Sequence, residues 1–171
     1  MNSSISMYNA SVPVFKQLLT ALNAILDKAQ THCINNAIAP DSLLKASLYP
    51  DMFDFTRQVQ IAADFAKGVS ARLAGIEVPA YEDTETSFNE LQARIEKTLL
   101  FISSITPEDI NGSEDKEIVT RPGTPKEKRF NGQSYLLSYG LPQFFFHVTT
   151  AYDILRNQGV EVGKRDYMGA F

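Results

Sequence analysis

Between residues 12 and 29 the apolar side chains Val12, Phe15, Leu18, Leu19, Leu22, Ile25, Leu26 and Ala29 recur every three or four positions. That spacing follows the turn of an α-helix and gathers the apolar groups into one stripe. A helix over roughly Ser11 to Thr31 therefore has a face that other elements must cover. Pro13 sits near its start, where a missing N–H is tolerated, or bends a helix that begins a turn or two earlier.

The same pattern returns three times. A second helix runs from about Phe53 to Leu73, with Phe55, Val59, Ala62, Phe65, Val69 and Leu73 on its apolar arc, and Gly75 closes it. A third opens at Ser87, which with Glu90 has capping-box spacing; its stripe is Phe88, Leu91, Ile95, Leu99 and Ile102, and Pro107 marks its end. The fourth covers about Gln133 to Gln158, kinked by Pro142 and closed by Gly159. Its arc holds Phe144, Val148, Ala151, Ile154 and Leu155.

The connections read as loops with two exceptions. "NNAIAPDSLLKASLYPDMF" carries one short helix at Asp41–Ser47, whereas "IEVPAYEDTE" is a plain loop. Residues 106–131 break the helical period, and "KEIVTRPGTPKEKRF" holds two short extended runs around Pro122-Gly123. This predicts a small exposed β-hairpin with a charged edge, the alternative being a disordered loop. The tail "VEVGKRDYMGAF" reads as irregular, and no internal repeat occurs. The expected fold is all-α: a four-helix bundle with a long crossover between the third and fourth helices, forming a single domain over 1–171. A length of 171 residues suits one core and is short for two.

Composition narrows the functional classes. The net charge of −4 argues against nucleic acid as a partner, although a local basic patch is compatible with it. The lone Cys33 excludes an internal disulfide or a multi-cysteine metal site. "MNSSISMYNASVPVF" lacks the basic and apolar regions of a signal peptide, and no run of apolar residues suits a membrane span. A cytoplasmic protein is expected.

Motif searches return little. "GKRD" lacks the rest of a phosphate-binding loop, and no nucleophile elbow, zinc-protease pair or dinucleotide fingerprint occurs. The acidic clusters Glu82-Asp83-Glu85 and Glu108-Asp109-Glu114-Asp115 suit solvent and helix starts. His32 and Cys33 are adjacent on a helix and point about 100° apart, so they do not form a nucleophile–base pair. His32 reads as a charge–dipole contact, and Cys33 as a small semi-buried residue.

Helical phase isolates two residues. His147 falls inside the apolar arc of the fourth helix and Gln58 inside that of the second, while Arg57, Gln60, Asp64 and Lys67 fall on the opposite, polar side. An unpartnered buried imidazole costs roughly 1–3 kcal/mol, so His147 needs a partner. Gln58, a tyrosine hydroxyl or an ordered water would serve.

Four stretches, "SMYNASVPVF", "LYPDMFDFTRQVQIAADFAKG", "RLAGIEVPAYEDTETSFNELQARI" and "FFFHVTTAYDILRNQGVEVGKRDYMG", resemble the bacterial family of unknown function DUF1993 over nearly the whole chain. That family is grouped with the DinB/YfiT-like superfamily of four-helix bundles, commonly dimeric. The wider superfamily typically holds zinc or nickel with three histidines. One comes from the second helix and two from an H-x-x-x-H pair on the fourth, leaving an open position that thiol-dependent transferases and isomerases use. By this resemblance His147 is the first member of the pair, and its companion position is Ala151. The second-helix position is Gln60 by the match of "QIA" to "HIA", or Gln58 by buried phase; Asp64 is the nearby carboxylate.

The resemblance therefore implies a degenerate metal site with no resident cofactor. The expected protein is a homodimeric, non-catalytic bundle that binds a small molecule or a partner, with His147, Gln58, Gln60 and Asp64 as pocket candidates. One alternative is a metal-dependent thiol transferase or hydrolase in which His147 and one of those residues hold a divalent metal. The other is a purely structural dimeric interaction module.

Overall fold

The computed structural model describes residues 5–171, so the reading of the N-terminus as lacking a signal sequence falls partly outside the described residues. In chain order the elements are α1 (Val12–Asn35), α2 (Pro40–Leu44), α3 (Phe55–Ala74), α4 (Phe88–Ser103) and α5 (Pro107–Ile110). There follow the strands β1 (Glu117–Thr120) and β2 (Lys128–Asn131), α6 (Gly132–Ser134), a π-helical turn (Tyr135–Gly140), α7 (Leu141–Asn157) and α8 (Lys164–Met168). The long helices α1, α3, α4 and α7 form the expected bundle; α1 packs on α4 and α7, and α3 packs on the same two.

Their apolar stripes meet in one core. Phe15 of α1 and Phe144 of α7 are fully buried with edge-to-face rings 4.8 Å apart. Leu19, Leu22, Val59, Leu91, Ile95 and Leu155 fill the space around them without exposure. Each such side chain contributes about 1.5–3 kcal/mol of burial, so the stripes read from sequence are what hold the bundle together.

Local chemistry sets the helix ends. The Asp54 side chain accepts the Arg57 N–H and starts α3. Gly75 ends it at φ 74°, a left-handed conformation that a side chain would oppose. The ammonium of Lys116 adds a bond to the Leu73 carbonyl. Ser87 starts α4 by accepting from Glu90 N–H. The return bond of the capping box shifts by one residue, because Glu90 accepts from the backbone of Thr86 at 2.6 Å.

The fourth helix is broken upstream of its proline. Pro142 has no N–H to bond the carbonyl four residues back. The chain widens before it into the π turn, where the Leu141 N–H reaches the Leu136 carbonyl five residues back. Gly140 permits this, since a Cβ there would stand 2.7 Å from Val69 Cγ2 on α3.

The hairpin forms as expected, with Glu117 opposite Asn131 and Thr120 opposite Lys128. Four readings need correction or refinement. Pro107 opens the short α5 in addition to marking where α4 has ended, and the short helix in the first connection is Pro40–Leu44 instead of Asp41–Ser47. The tail is not irregular: α8 forms because Asp166 accepts the Gly163 N–H at 2.8 Å and its end docks on α1, where Gln17 donates to the Met168 carbonyl. Gln60 and Lys67 do not face solvent; they are 4% and 5% exposed. The 76–86 loop folds over that flank of α3, and the Tyr81 ring lies 3.8 Å from the Lys67 ammonium.

Candidate functional site

His147 of α7 is buried and its Nδ1 lies 2.7 Å from Oε1 of Gln58 on α3. Of the partners open to it, the structure selects this glutamine. The Gln58 amide nitrogen in turn donates to the Phe53 carbonyl at 3.2 Å, just before α3 begins. That second bond fixes which end of the amide faces the ring. A carbonyl oxygen only accepts, so Nδ1 carries the proton and Nε2 presents a lone pair. Burial, with the Arg57 charge adding to it, lowers the imidazole pKa to about 4. The ring is neutral at physiological pH and serves as a hydrogen-bond acceptor.

Among the described residues Nε2 has no hydrogen-bond partner, and His147 lines a cleft of about 540 Å³. The cleft lies between α3, the π turn, α7 and the hairpin. The π turn brings Tyr135 and Tyr139 onto one wall with their rings stacked 5.9 Å apart. Phe65 of α3 continues this apolar wall, stacking on His147 at 6.0 Å and meeting Tyr139 edge-on at 5.9 Å. Phe130 of β2 lies against both tyrosines, 5.6 Å from Tyr135 and 5.1 Å from Tyr139, and so anchors the hairpin to the bundle. Arg72 donates to the Tyr135 hydroxyl at 3.1 Å.

The charge lining the cleft is uneven: Arg57, Arg72, Arg121, Lys126 and Lys128 stand against one carboxylate, Asp64. Asp64 is already held, since Arg94 and Lys67 each donate to its Oδ1 at 2.9 Å. Arg57 is paired with Asp83. Arg94 is the centre of this second cluster; its side chain is 2% exposed and it also bonds Asp83 and Glu85 at 2.9 Å. The acidic run Glu82-Asp83-Glu85 therefore ties the 76–86 loop to α3 and α4, and does not simply face solvent. Asp109 does serve a helix start, accepting the Thr106 N–H at 2.8 Å.

The four residues singled out from sequence thus separate. His147 and Gln58 form one unit, and Asp64 lies on the cleft wall with its charge engaged elsewhere. Gln60 sits on the flank, donating to Glu85 at 2.8 Å and accepting from Arg57 at 3.1 Å. The residues missing from the sequence reading are Arg72, Tyr135, Tyr139, Arg121, Lys126 and Lys128. The Tyr135–Tyr139 spacing was visible, but the charges of "KEKR" read only as a solvated edge. Cys33 takes no part: it is buried, and burial raises its thiol pKa.

This donor set does not fit the superfamily's metal. Gln58 spends its carbonyl oxygen on His147, and Gln60 is bonded to Glu85 and Arg57. The position four residues after His147 is the fully buried methyl of Ala151. Among the described residues no group of three or more His, Cys, Asp or Glu side chains is placed to hold a metal ion. One imidazole beside a guanidinium is a poor host for a divalent cation.

A family model described as Domain of unknown function (DUF1993) matches residues 7–168. A search of curated proteins gives no match. Among solved structures, a DinB family member from Shewanella denitrificans, determined at 1.83 Å, superposes with a TM-score of 0.90. It is 38% identical, and the alignment covers 96% of this chain and 92% of that one. The long-helix bundle and these matches lead to one assignment: the chain belongs to the DUF1993 family and has the DinB fold.

Proposed function

We propose that this protein binds a small molecule in the cleft beside His147, without a resident metal and without catalysing its conversion. The observation that carries this reading is the hydrogen-bonded relay from the Phe53 carbonyl through Gln58 to His147. It orients the imidazole, which burial and Arg57 keep neutral, with one open acceptor in a cleft of about 540 Å³, within the size range of small-molecule sites. Second-partner bonds of this kind fix a histidine's tautomer in metal sites. Here the same device presents a lone pair to a ligand. A catalytic base with a pKa near 4 would be weak at neutral pH, which favours recognition over proton transfer.

A ligand-observed NMR screen of a fragment library, repeated on His147→Phe, tests the reading. Phenylalanine keeps the ring volume and removes the acceptor. Fragments that bind the native protein and lose contact in the variant are the expected result. A screen with no hits, or hits indifferent to His147→Phe, would refute it.

Self-association is a second proposal, since the outer face of α7 and the π turn leaves Leu137, Phe145 and Phe146 at 48%, 37% and 54% exposure. Such a patch fits a homodimer contact. Light scattering after chromatography should report a dimer for the native chain and a monomer for Phe145→Ser/Phe146→Ser. A native monomer would overturn it. No helix of the described residues is long and apolar enough to cross a membrane.

A further inference from the structure

We infer that the ligand of the His147 cleft is an aromatic anion, a carboxylate or phosphate monoester on a planar ring. This rests on the reading of the cleft as a ligand site and adds the chemistry that the site selects.

The first support is charge without compensation. Arg121, Lys126 and Lys128 make no ion pair among the described residues, and Arg72 bonds a neutral phenol. The chain as a whole carries −4, so this local excess runs against its overall sign. Strand β2 sorts its own charges by face. Successive side chains point to opposite sides. Arg129 faces outward and pairs with Glu117 at 3.0 Å and Glu127 at 2.9 Å. Lys128 and Phe130 face the bundle, and the Lys128 ammonium lies 5.4 Å from the Tyr139 ring with no carboxylate beside it.

The second support is the turn that joins the strands. Arg121 adopts φ 51°, the left-handed region that a side chain disfavours, and it lines the cleft. Glycine would hold this backbone without strain, so the strained position carries a guanidinium to the cleft rim.

The third is the wall itself. Phe65, Tyr139 and His147 all line the cleft, Phe65 nearly parallel to His147 and edge-on to Tyr139, so a planar body entering it meets aromatic rings along this wall. A concave aromatic floor with a cationic rim matches a ring bearing one anionic group. Inorganic phosphate would use only the rim.

The test is titration of isotope-labelled protein with four probes, benzoate, phenyl phosphate, benzyl alcohol and inorganic phosphate, followed by amide chemical shifts. Benzoate or phenyl phosphate should shift amides of Arg72, Arg121, Lys128, Tyr139 and His147, and should bind at least about tenfold more tightly than benzyl alcohol. Which of the two binds better separates a carboxylate from a phosphate ligand. Benzyl alcohol binding the cleft as tightly as the anions would overturn the charge inference and leave the small-molecule site standing. Inorganic phosphate binding as tightly as phenyl phosphate would overturn the role of the ring. If none of the four shifts cleft amides, the aromatic-anion inference fails, and the fragment screen decides the broader reading separately.

Arg121→Gly supplies a control for folding. Relief of the positive φ should leave the melting temperature unchanged or raised, while aryl-anion affinity falls by up to about fivefold, the scale of one exposed charge pair. Lys128→Gln should add a similar loss. Unchanged affinity in the folded double variant would contradict the proposal.

Discussion

Replacing His147 with glutamine removes the only titrating group of the relay while keeping a donor for the Gln58 carbonyl. The folded imidazole titrates near about 4, against 6.5 in the unfolded chain. Because the folded value is the lower one, the unfolded chain binds more protons between the two. The stability this buried ring contributes is therefore complete above about pH 6.5 and is lost as pH falls toward about 4. Integrating that difference from about pH 7 to about pH 4.5 gives a loss of about 2 kcal/mol for the native protein. Carboxylates held low by their partners, such as Asp83 and Asp166, also lose stability as pH falls. They are present in both proteins and cancel in the comparison. Urea unfolding at several pH values measures the difference directly. His147→Gln should lose about 2 kcal/mol less than the native protein over that interval. Parallel pH profiles would refute the reasoning, because they would mean that the imidazole is not held neutral by the fold.

Two further substitutions probe the same network. Gln58→Glu places a carboxylate 89 residues away in sequence but in contact with Nδ1, and should raise the His147 pKa into the neutral range in an NMR titration; a value still near about 4 would contradict the contact. Arg94→Met leaves Asp64, Asp83 and Glu85 without their shared partner and should cost about 3 kcal/mol in urea unfolding, the lower end for a broken buried pair because Asp64 and Asp83 keep solvent contact. A loss within about 0.5 kcal/mol would show the cluster to be ordinary surface charge.

The parts of the fold legible in the sequence were those decided within a few residues. The α1 stripe, the Gly75 stop, the Ser87 start and the Pro122-Gly123 turn each follow from local spacing or backbone chemistry, and each is present in the fold. What escaped depends on contacts between distant segments. The five-residue α8 has no apolar period of its own and forms by docking on α1, including a Lys28–Asp166 pair at 2.7 Å. Helical phase placed Gln60 and Lys67 outward correctly with respect to the bundle, but a loop then covered them and Arg94 of α4 completed the cover. Pro142 announced a distortion, but not that it would fall upstream and turn Tyr135 and Tyr139 into the cleft. At the site, phase was enough to find His147 and Gln58, since both lie on arcs facing the same core. The cationic rim was invisible because its residues lie on the hairpin, whose docking through Phe130 is a tertiary event.

Metal content of protein purified without a histidine tag tests most directly whether this bundle works without a chelate. With Gln58 bonded to His147, Gln60 tied to Glu85 and Ala151 in the companion position, zinc and nickel should be far below stoichiometric by mass spectrometry, before and after incubation with either ion. One equivalent of tightly held zinc or nickel, lost on His147→Ala, would contradict the metal-free reading.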